Sequence, residues 1–161
     1  MITFRSHTRD DIPLRVIWLN NKKATQYAID NPGHKTTIKE QNKWFDNYEQ
    51  ESRLKRKKFF TILYYNRPVG FMGLSNIDPE KKTAEIFILI GDDGHRGKGV
   101  GKFSVEYLIG IAFKKTGLRR LMLEVNKLNH PAIKLYENLG FQKIGENETE
   151  IKMILKSSNL A

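Results

Sequence analysis

Six consecutive residues, Arg96-Gly97-Lys98-Gly99-Val100-Gly101, have the types and spacing most able to do chemistry. They follow an apolar run, Ile86 to Ile90, and precede a helical pattern from Phe103 to Phe113. That order describes a buried strand, a turn with alternate glycines, and a helix. Glycine accepts positive φ and lets the backbone approach a ligand closely, so such a turn can aim several N–H groups at one point. The helix adds its own unpaired N–H groups and the positive end of its dipole. The matching occupant is a phosphate or pyrophosphate. Spacing rules out two common phosphate loops. No window supplies G-x-x-x-x-G-K-[ST], and Gly97, Gly99 and Gly101 alternate where a dinucleotide fingerprint needs G-x-G-x-x-G.

A second segment, Leu123 to Phe141, has its own local logic. Asn129 is a good N-cap, and Pro131 suits the first turn of a helix. Ala132, Leu135, Tyr136 and Leu139 recur at helical spacing, and Gly140 is a natural stop. Two helical turns separate Asn129 from Tyr136, which places both on one side.

Together these segments resemble the GNAT superfamily of N-acetyltransferases. Arg96 through Gly99 to Gly101 reads R-x-x-G-x-G, similar to the family's acetyl-CoA pyrophosphate loop. Leu123 to Phe141 is similar to its other signature, L-x-V-x-x-x-N-x-x-A-x-x-L-Y-E-x-x-G-F. The close resemblance covers about residues 83 to 145. Arg15 to Asn20 and Gln41 to Phe45 look loosely like the branch that holds ribosomal-protein N-terminal acetyltransferases and some amino-sugar and polyamine acetyltransferases.

The resemblance implies acetyl-CoA as cosubstrate and no metal. It places the cofactor on Arg96, Gly97, Lys98, Gly99, Val100, Gly101 and Lys102, with Asn129 bonded to the pantetheine arm. It implies a backbone oxyanion donor near the end of the fourth strand, at Leu89, Ile90 or Gly91. Tyr136 is the implied general acid for the departing thiolate. A phenol suits that role, since its pKa of about 10 lies only about 1.5 units above that of a thiol. The acceptor is a primary amine, either a small molecule or a protein N-terminus. Such an amine, with a pKa of about 10.4 for a lysine type, must lose a proton before it attacks. Glu85 and Glu124 lie in strands expected to be buried, where a charge is costly unless paired or functional. Relatives place a base glutamate at either location, and water is the third option. Trp18, Tyr27, Trp44 and the turn Asp30–Lys35 are candidates to shape the acceptor site. A homodimer stays open.

The chain has 161 residues, net charge +10, four histidines and no cysteine. One domain is expected, over residues 1–161, with a core large enough to need no cross-links. The absence of cysteine excludes disulfides, a thiolate nucleophile and Cys-ligated zinc. The scattered histidines form no H-x-x-x-H pair, so no metal site is expected. The N-terminus lacks a signal-peptide apolar region, and no apolar run approaches the ~20 residues that span a bilayer. A soluble, cytoplasmic protein without membrane partners is the expectation. The positive charge is partly a solvated surface and partly a field for an anionic cosubstrate, with Lys98, Lys102, Lys114 and Lys115 as candidates. The cluster Arg53-Leu54-Lys55-Arg56-Lys57-Lys58 raises nucleic acid as a partner, but it carries no nucleic-acid motif and precedes a strand.

Pattern and turn residues predict strand 2–5, a helix begun by Asp10-Asp11 with Leu14, Ile17 and Trp18 inward, and a turn at Asp30–Gly33. A helix over 37–51 has Ile38, Trp44, Phe45 and Tyr48 on its apolar side. Strands at 59–65, 69–75 and 83–90 follow, then helix 99–116, strand 119–125, helix 129–139, and strands 141–148 and 150–156, with a frayed tail at 157–161. The order β-α-α-β-β-β-α-β-α-β-β fits an α/β GNAT fold, a mixed and mostly antiparallel sheet of about seven strands with about four helices. Two other functions stay open: a non-catalytic acyl-CoA-binding regulator on the same fold, and a basic nucleic-acid-binding module.

Overall fold

The computed structural model describes residues 1–27 and 33–160. Seven strands form one sheet: β1 (Ile2–Ser6), β2 (Lys58–Tyr64), β3 (Arg67–Asp78), β4 (Thr83–Ile90), β5 (Arg120–Asn126), β6 (Gln142–Glu146) and β7 (Glu150–Lys156). Their spatial order is β1-β2-β3-β4-β5-β7-β6. Every neighbouring pair is antiparallel except β4 and β5, which run parallel. The helices are α1 (Ile12–Leu19), α2 (Lys22–Thr25), α3 (Ile38–Arg53), α4 (Val100–Gly110) and α5 (His130–Asn138). The mixed, mostly antiparallel seven-stranded sheet agrees with expectation. Among the described residues the helix count rises to five because the single turn α2, begun by the Asn21 side chain accepting from Lys23 and Ala24 N–H, is too short to show a period.

Helices cover both faces. Ala84, Ile86, Leu121, Leu123 and Val125 point toward α4 and α5, packing with Val105, Leu108 and Tyr136 in the largest core cluster. Phe87 and Leu89 point the other way, toward α1 and α3. A tight turn with left-handed Tyr65 and Asn66 lengthens β3 beyond the expected strand, starting it at Arg67. The long helix after the glycine loop changes to a π-helical stretch at Ile111–Lys115 and stops where Thr116 bonds back to the Ile111 and Ala112 carbonyls. Ser157–Asn159 forms a 3-10 turn rather than a frayed tail. The turn expected at Asp30–Pro32 lies outside the described residues, as does Ala161.

Two apolar faces differ from the sequence pattern. In α1 the buried stripe is Ile12, Arg15 and Trp18, while Ile17 is exposed. In α3 Phe45 and Tyr48 are buried, but Ile38, in the first turn, is exposed. Arg15 enters the core because its guanidinium lies 3.5 Å from the Trp44 ring centroid and 4.3 Å from that of Phe71, and its Nε donates to Gln41 Oε1 at 2.8 Å. The aromatic faces partly replace water around the cation. Burial still lowers the Arg15 pKa to about 9, so it stays charged at neutral pH.

The junction of β1 and α1 is locked by Asp11. Its carboxylate accepts both Arg5 amino groups at 2.7 and 2.8 Å, the Thr8 N–H at 2.8 Å and the Thr61 hydroxyl at 2.9 Å. These bonds outweigh its burial and hold its pKa down to about 2. His7 sits alongside, with Nδ1 2.7 Å from Thr61 Oγ1. Burial, reinforced by the Arg15 charge, lowers its pKa to about 4. Both groups have native pKa values below their unfolded ones, so their stabilisation is complete above the unfolded values and declines as pH falls. For His7 that window runs from pH 6.5 down to about 4, a loss on the order of 3 kcal/mol. NMR titration should therefore show one of the four imidazoles still neutral at pH 5, and urea midpoints should drop between pH 7 and pH 4.5. An imidazole set that titrates wholly above pH 6 would refute this.

Candidate active site

The site begins where the sheet opens. β4 and β5 share register at three positions, Thr83 with Arg120, Ala84 with Leu121 and Glu85 with Met122. Beyond these β4 stays on β3 as far as Ile90, and β5 follows β7 to Asn126. The two strands diverge, and a cleft of about 370 Å³ lies at the opening. Ile88, Leu89 and Ile90 line it from β4, Arg96, Gly97 and Gly101 from the loop, and Asn129, Leu135 and Tyr136 from α5 and its cap. Both sequence signatures therefore meet at one cavity.

The ladder decides which backbone groups face it. Gly91 N–H donates to Val69 O at 2.9 Å, so Gly91 is on the hydrogen-bonded side of the β3–β4 pair. In an antiparallel ladder that role alternates, which places the Leu89 N–H on β3 as well and turns Ile88 and Ile90 toward β5. The Ile90 carbonyl does point away from β3, since it accepts Arg96 Nη2 at 3.2 Å. Of the three donors expected from the sequence, Leu89 and Gly91 are committed within the sheet and Ile90 is free to face the cleft. Ile88, which shares its orientation, was not singled out by the sequence.

The loop has the backbone its glycines foreshadow. Gly97 and Gly99 have φ of +75° and +79°, and Gly99 is the left-handed N-cap of α4. The first bond of the helix runs from Phe103 N–H to Gly99 O, which leaves the preceding N–H groups directed out of the helix end. Arg96 is tied to Asp93 as well as to Ile90 O, and this fixes the start of the loop against the tip of β4. Val100 is buried in the core, so only its backbone is available to a ligand. Lys98 and Lys102 are exposed beside the loop, and Lys98 Nζ lies 5.6 Å from the Tyr64 ring centroid.

The side chains of α5 divide between packing and the cavity. Asn129 caps the helix, its oxygen 3.4 Å from Ala132 N, and also lines the cleft. Tyr136 is buried, packs edge-on against Phe141, and reaches the cleft. Loss of water around the phenol pushes its pKa up to about 12. It is a protonated donor throughout the neutral range.

Other expected residues lie elsewhere. Glu85 and Glu124 are exposed, not buried, and neither lines the cleft. Both are on the sheet face away from α4 and α5. Glu85 accepts from Asn76 Nδ2 at 3.1 Å beside a bulge in β3, and Glu124 stands opposite Lys152 of β7. Trp18 is a core residue packed over Gly91, and Trp44 supports Arg15. Tyr27 does line the cleft, beside Lys23 and Gln26 from α2 and its end. The remainder of the expected acceptor turn at Asp30–Pro32 lies outside the described residues. His95 was not foreseen as a site residue, though its place directly before Arg96 was a signal. It lines the cleft with its ring 4.9 Å from that of Tyr64. Among the described residues no group of three or more His, Asp or Glu side chains could hold a metal, and no helix is long and apolar enough to cross a membrane.

Known proteins share this fold. The profile of the acetyltransferase (GNAT) family matches residues 21–141. An N-acetyltransferase 9-like protein of Nematostella vectensis is 27% identical over 140 residues, covering 86% of this chain and 60% of that protein. Another, of Caenorhabditis briggsae, is 30% identical over 103 residues, 59% of this chain and 52% of that one. The chain thus spans about half the length of these curated relatives. Among solved structures, spermidine N-acetyltransferase from Vibrio cholerae in complex with CoA and spermine superposes with a TM-score of 0.86 at 22% identity, over 98% of this chain and 96% of that one. A ribosomal L7/L12 alpha-N-protein acetyltransferase in complex with coenzyme A gives 0.84 at 19% identity, over 96% and 93%. At such identities these two establish the shared fold. With the family profile running from α2 through the glycine loop to the end of α5, this chain belongs to the GNAT acetyltransferase family.

Proposed function

We propose that the protein transfers an acetyl group from acetyl-CoA to a primary amine by direct attack through a tetrahedral intermediate. The observation that carries this reading is the meeting of the glycine loop, the Ile90 backbone, Asn129 and Tyr136 around one cleft where β4 and β5 part. The thioester supplies an activated acetyl carbon. Backbone N–H groups at the start of α4 hold the pyrophosphate, and Lys98 and Lys102 add positive charge beside it. Asn129 bonds the pantetheine arm with the part of its amide that the helix cap leaves free. The Ile90 N–H, fixed by the β3–β4 ladder, receives the oxyanion without reorganising.

The amine nitrogen forms a bond to the acetyl carbon, and the carbon–sulfur bond then breaks. Tyr136 gives its proton to the departing sulfur and recovers one from solvent. With its pKa near 12 the phenol donates uphill to an ordinary thiol, but the same dry surroundings also raise the thiol pKa and narrow the gap. The acceptor proton leaves through water in this proposal, because Glu85 and Glu124 are exposed and outside the cleft. The acceptor is a polyamine, an amino sugar or a protein N-terminus. A thiol-release assay with acetyl-CoA over a panel of these amines tests the proposal, and absence of release with any of them, alongside tight CoA binding, would favour a non-catalytic acyl-CoA-binding regulator.

Four variants sharpen it. Tyr136→Phe keeps the ring and its packing, so kcat should fall by about 10²–10⁴-fold with CoA affinity nearly intact. Unaltered turnover would remove the hydroxyl from the reaction. Gly99→Val forces a β-branched residue into a left-handed cap at the phosphate site. Calorimetry should show CoA affinity falling far more than the thermal midpoint. Finally, Glu85→Gln and Glu124→Gln should each keep kcat within about twofold of wild type across pH 7 to 9. A neutral-pH loss in either one, recovered as pH rises and the free amine forms unaided, would identify that carboxylate as the base.

A further inference from the structure

The basic run at residues 53–58 is not used by the acetyl-transfer site, yet it does not lie on a flat surface. It borders a second, larger cavity, about 880 Å³, at the opposite end of the sheet from the opening between β4 and β5. Four separate parts of the chain bring cations to it: Arg53 and Lys55 from the end of α3, Lys57 and Lys58 from the start of β2, Lys82 from the turn before β4, and Lys115 from the π-helical end of the α4 segment. Lys115, one of the residues expected to serve the cosubstrate, belongs here instead. Among the described residues Glu49 is the single carboxylate in the lining, and it already faces Arg9 at 3.7 Å and Arg53 at 3.9 Å. None of Lys55, Lys57, Lys58, Lys82 and Lys115 forms an ion pair among the described residues.

The framework is held in place. Lys55 and Lys82 adopt left-handed backbone, φ 58° and 56°, which is uncommon for residues other than glycine. Arg56 N–H bonds Glu51 O at 2.9 Å, Ile77 N–H bonds Arg56 O at 3.0 Å, and Lys82 O accepts from both Arg119 and Arg120. These contacts draw the positive segments together against their mutual repulsion. Behind the cations the wall is apolar, built from Phe45, Tyr48, Phe59 and Leu118.

We propose that this cavity is a binding site for a nucleoside polyphosphate. Six cations against one engaged carboxylate call for a multiply charged anion, which excludes a fatty acid or another single carboxylate as the matching ligand. The apolar lining that is open to the cavity, Ile77 and Pro79 at the end of β3, calls for a flat apolar group on that anion, which a bare phosphate lacks. A nucleic-acid strand would need rings exposed as stacking platforms, whereas Phe45, Tyr48 and Phe59 are 4%, 7% and 6% exposed. One base with its phosphates satisfies both halves of the cavity.

The test uses the whole chain and N-methylanthraniloyl-ATP, followed by fluorescence anisotropy with and without saturating CoA. Saturable binding should persist when CoA fills the other cleft. Lys57→Gln should weaken it about tenfold and the Lys57→Gln/Arg53→Gln pair about a hundredfold, as expected for charge-assisted contacts. CoA affinity and the circular dichroism of both variants should match wild type. Inorganic triphosphate should compete, but more weakly than ATP. Complete displacement of the probe by CoA, or equal affinity in wild type and the double variant, would overturn the proposal. So would binding of single-stranded RNA that tightens with length while the mononucleotide fails to bind. Should CoA itself not bind, the acetyl-transfer reading fails, and the lysine and arginine variants still report on this cavity.

Discussion

The parting of β4 from β5 governs the rest of the molecule. Each strand keeps a full antiparallel partner on its outer side, so neither needs the other beyond three residue pairs. The inner backbone groups past that point have no ladder to join. Buried peptide groups without partners are costly, so such an opening is stable where solvent or a ligand's amides complete the bonding. A pantetheine arm, itself a chain of amides, can act as a third strand between them. The glycine loop and α5 stand at the ends of the strands that diverge, which is why the two signatures meet.

Charge is distributed with a similar economy. On the α1–α3 side, Asp11 gathers Arg5, Thr8 and Thr61, and its neighbours hold a neutral imidazole and a guanidinium that rests on aromatic rings rather than on a carboxylate. Removing Asp11 or Trp44 would leave one of these groups without its compensation, so the cluster fixes how α1 leaves β1. From α1 the chain turns directly into α2, which carries Lys23 to the cleft and ends beside Gln26 and Tyr27 there. The inner cluster thus sets the wall that an acceptor would meet.

Much of this was legible in the sequence where a local rule and a tertiary requirement coincide. The strands at 83–90 and 150–156 have the expected bounds because their apolar runs end in turn residues. The loop and α5 were legible because left-handed glycines, an asparagine cap and helical spacing each leave a residue-level mark. The inward face of α1 was not, since Arg15 is buried by rings that belong to α3 and β3, which no helical period in α1 can reveal. Glu85 and Glu124 were expected inside because their strands are apolar. They emerge on a sheet face that α1 and α3 leave uncovered at those positions, and lateral helix placement is not written in strand composition. Which backbone amide faces the cleft depends on ladder phase, and that requires knowing which residue opposes Val69.

The parallel pairing also bears on how the chain reaches this structure. β1 aside, the strands from β2 through β4 are joined by short turns and meet in sequence order, as do β6 and β7. The β4–β5 contact instead requires the whole glycine loop and α4 to cross over first, and β5 must then accept β7 as its other neighbour. Contacts of that separation close late and slowly, since loop entropy is lost before they contribute. The topology therefore argues for assembly in two halves, a β2–β4 meander and a β5–β7 unit, whose final union creates the opening between β4 and β5. Pulsed hydrogen exchange would read this as protection appearing in the β3 and β7 ladders ahead of the amides that join β4 to β5. On this account the cleft is a seam between folding units, and mutations that slow their union would lower the yield of active protein without touching a single group that contacts substrate.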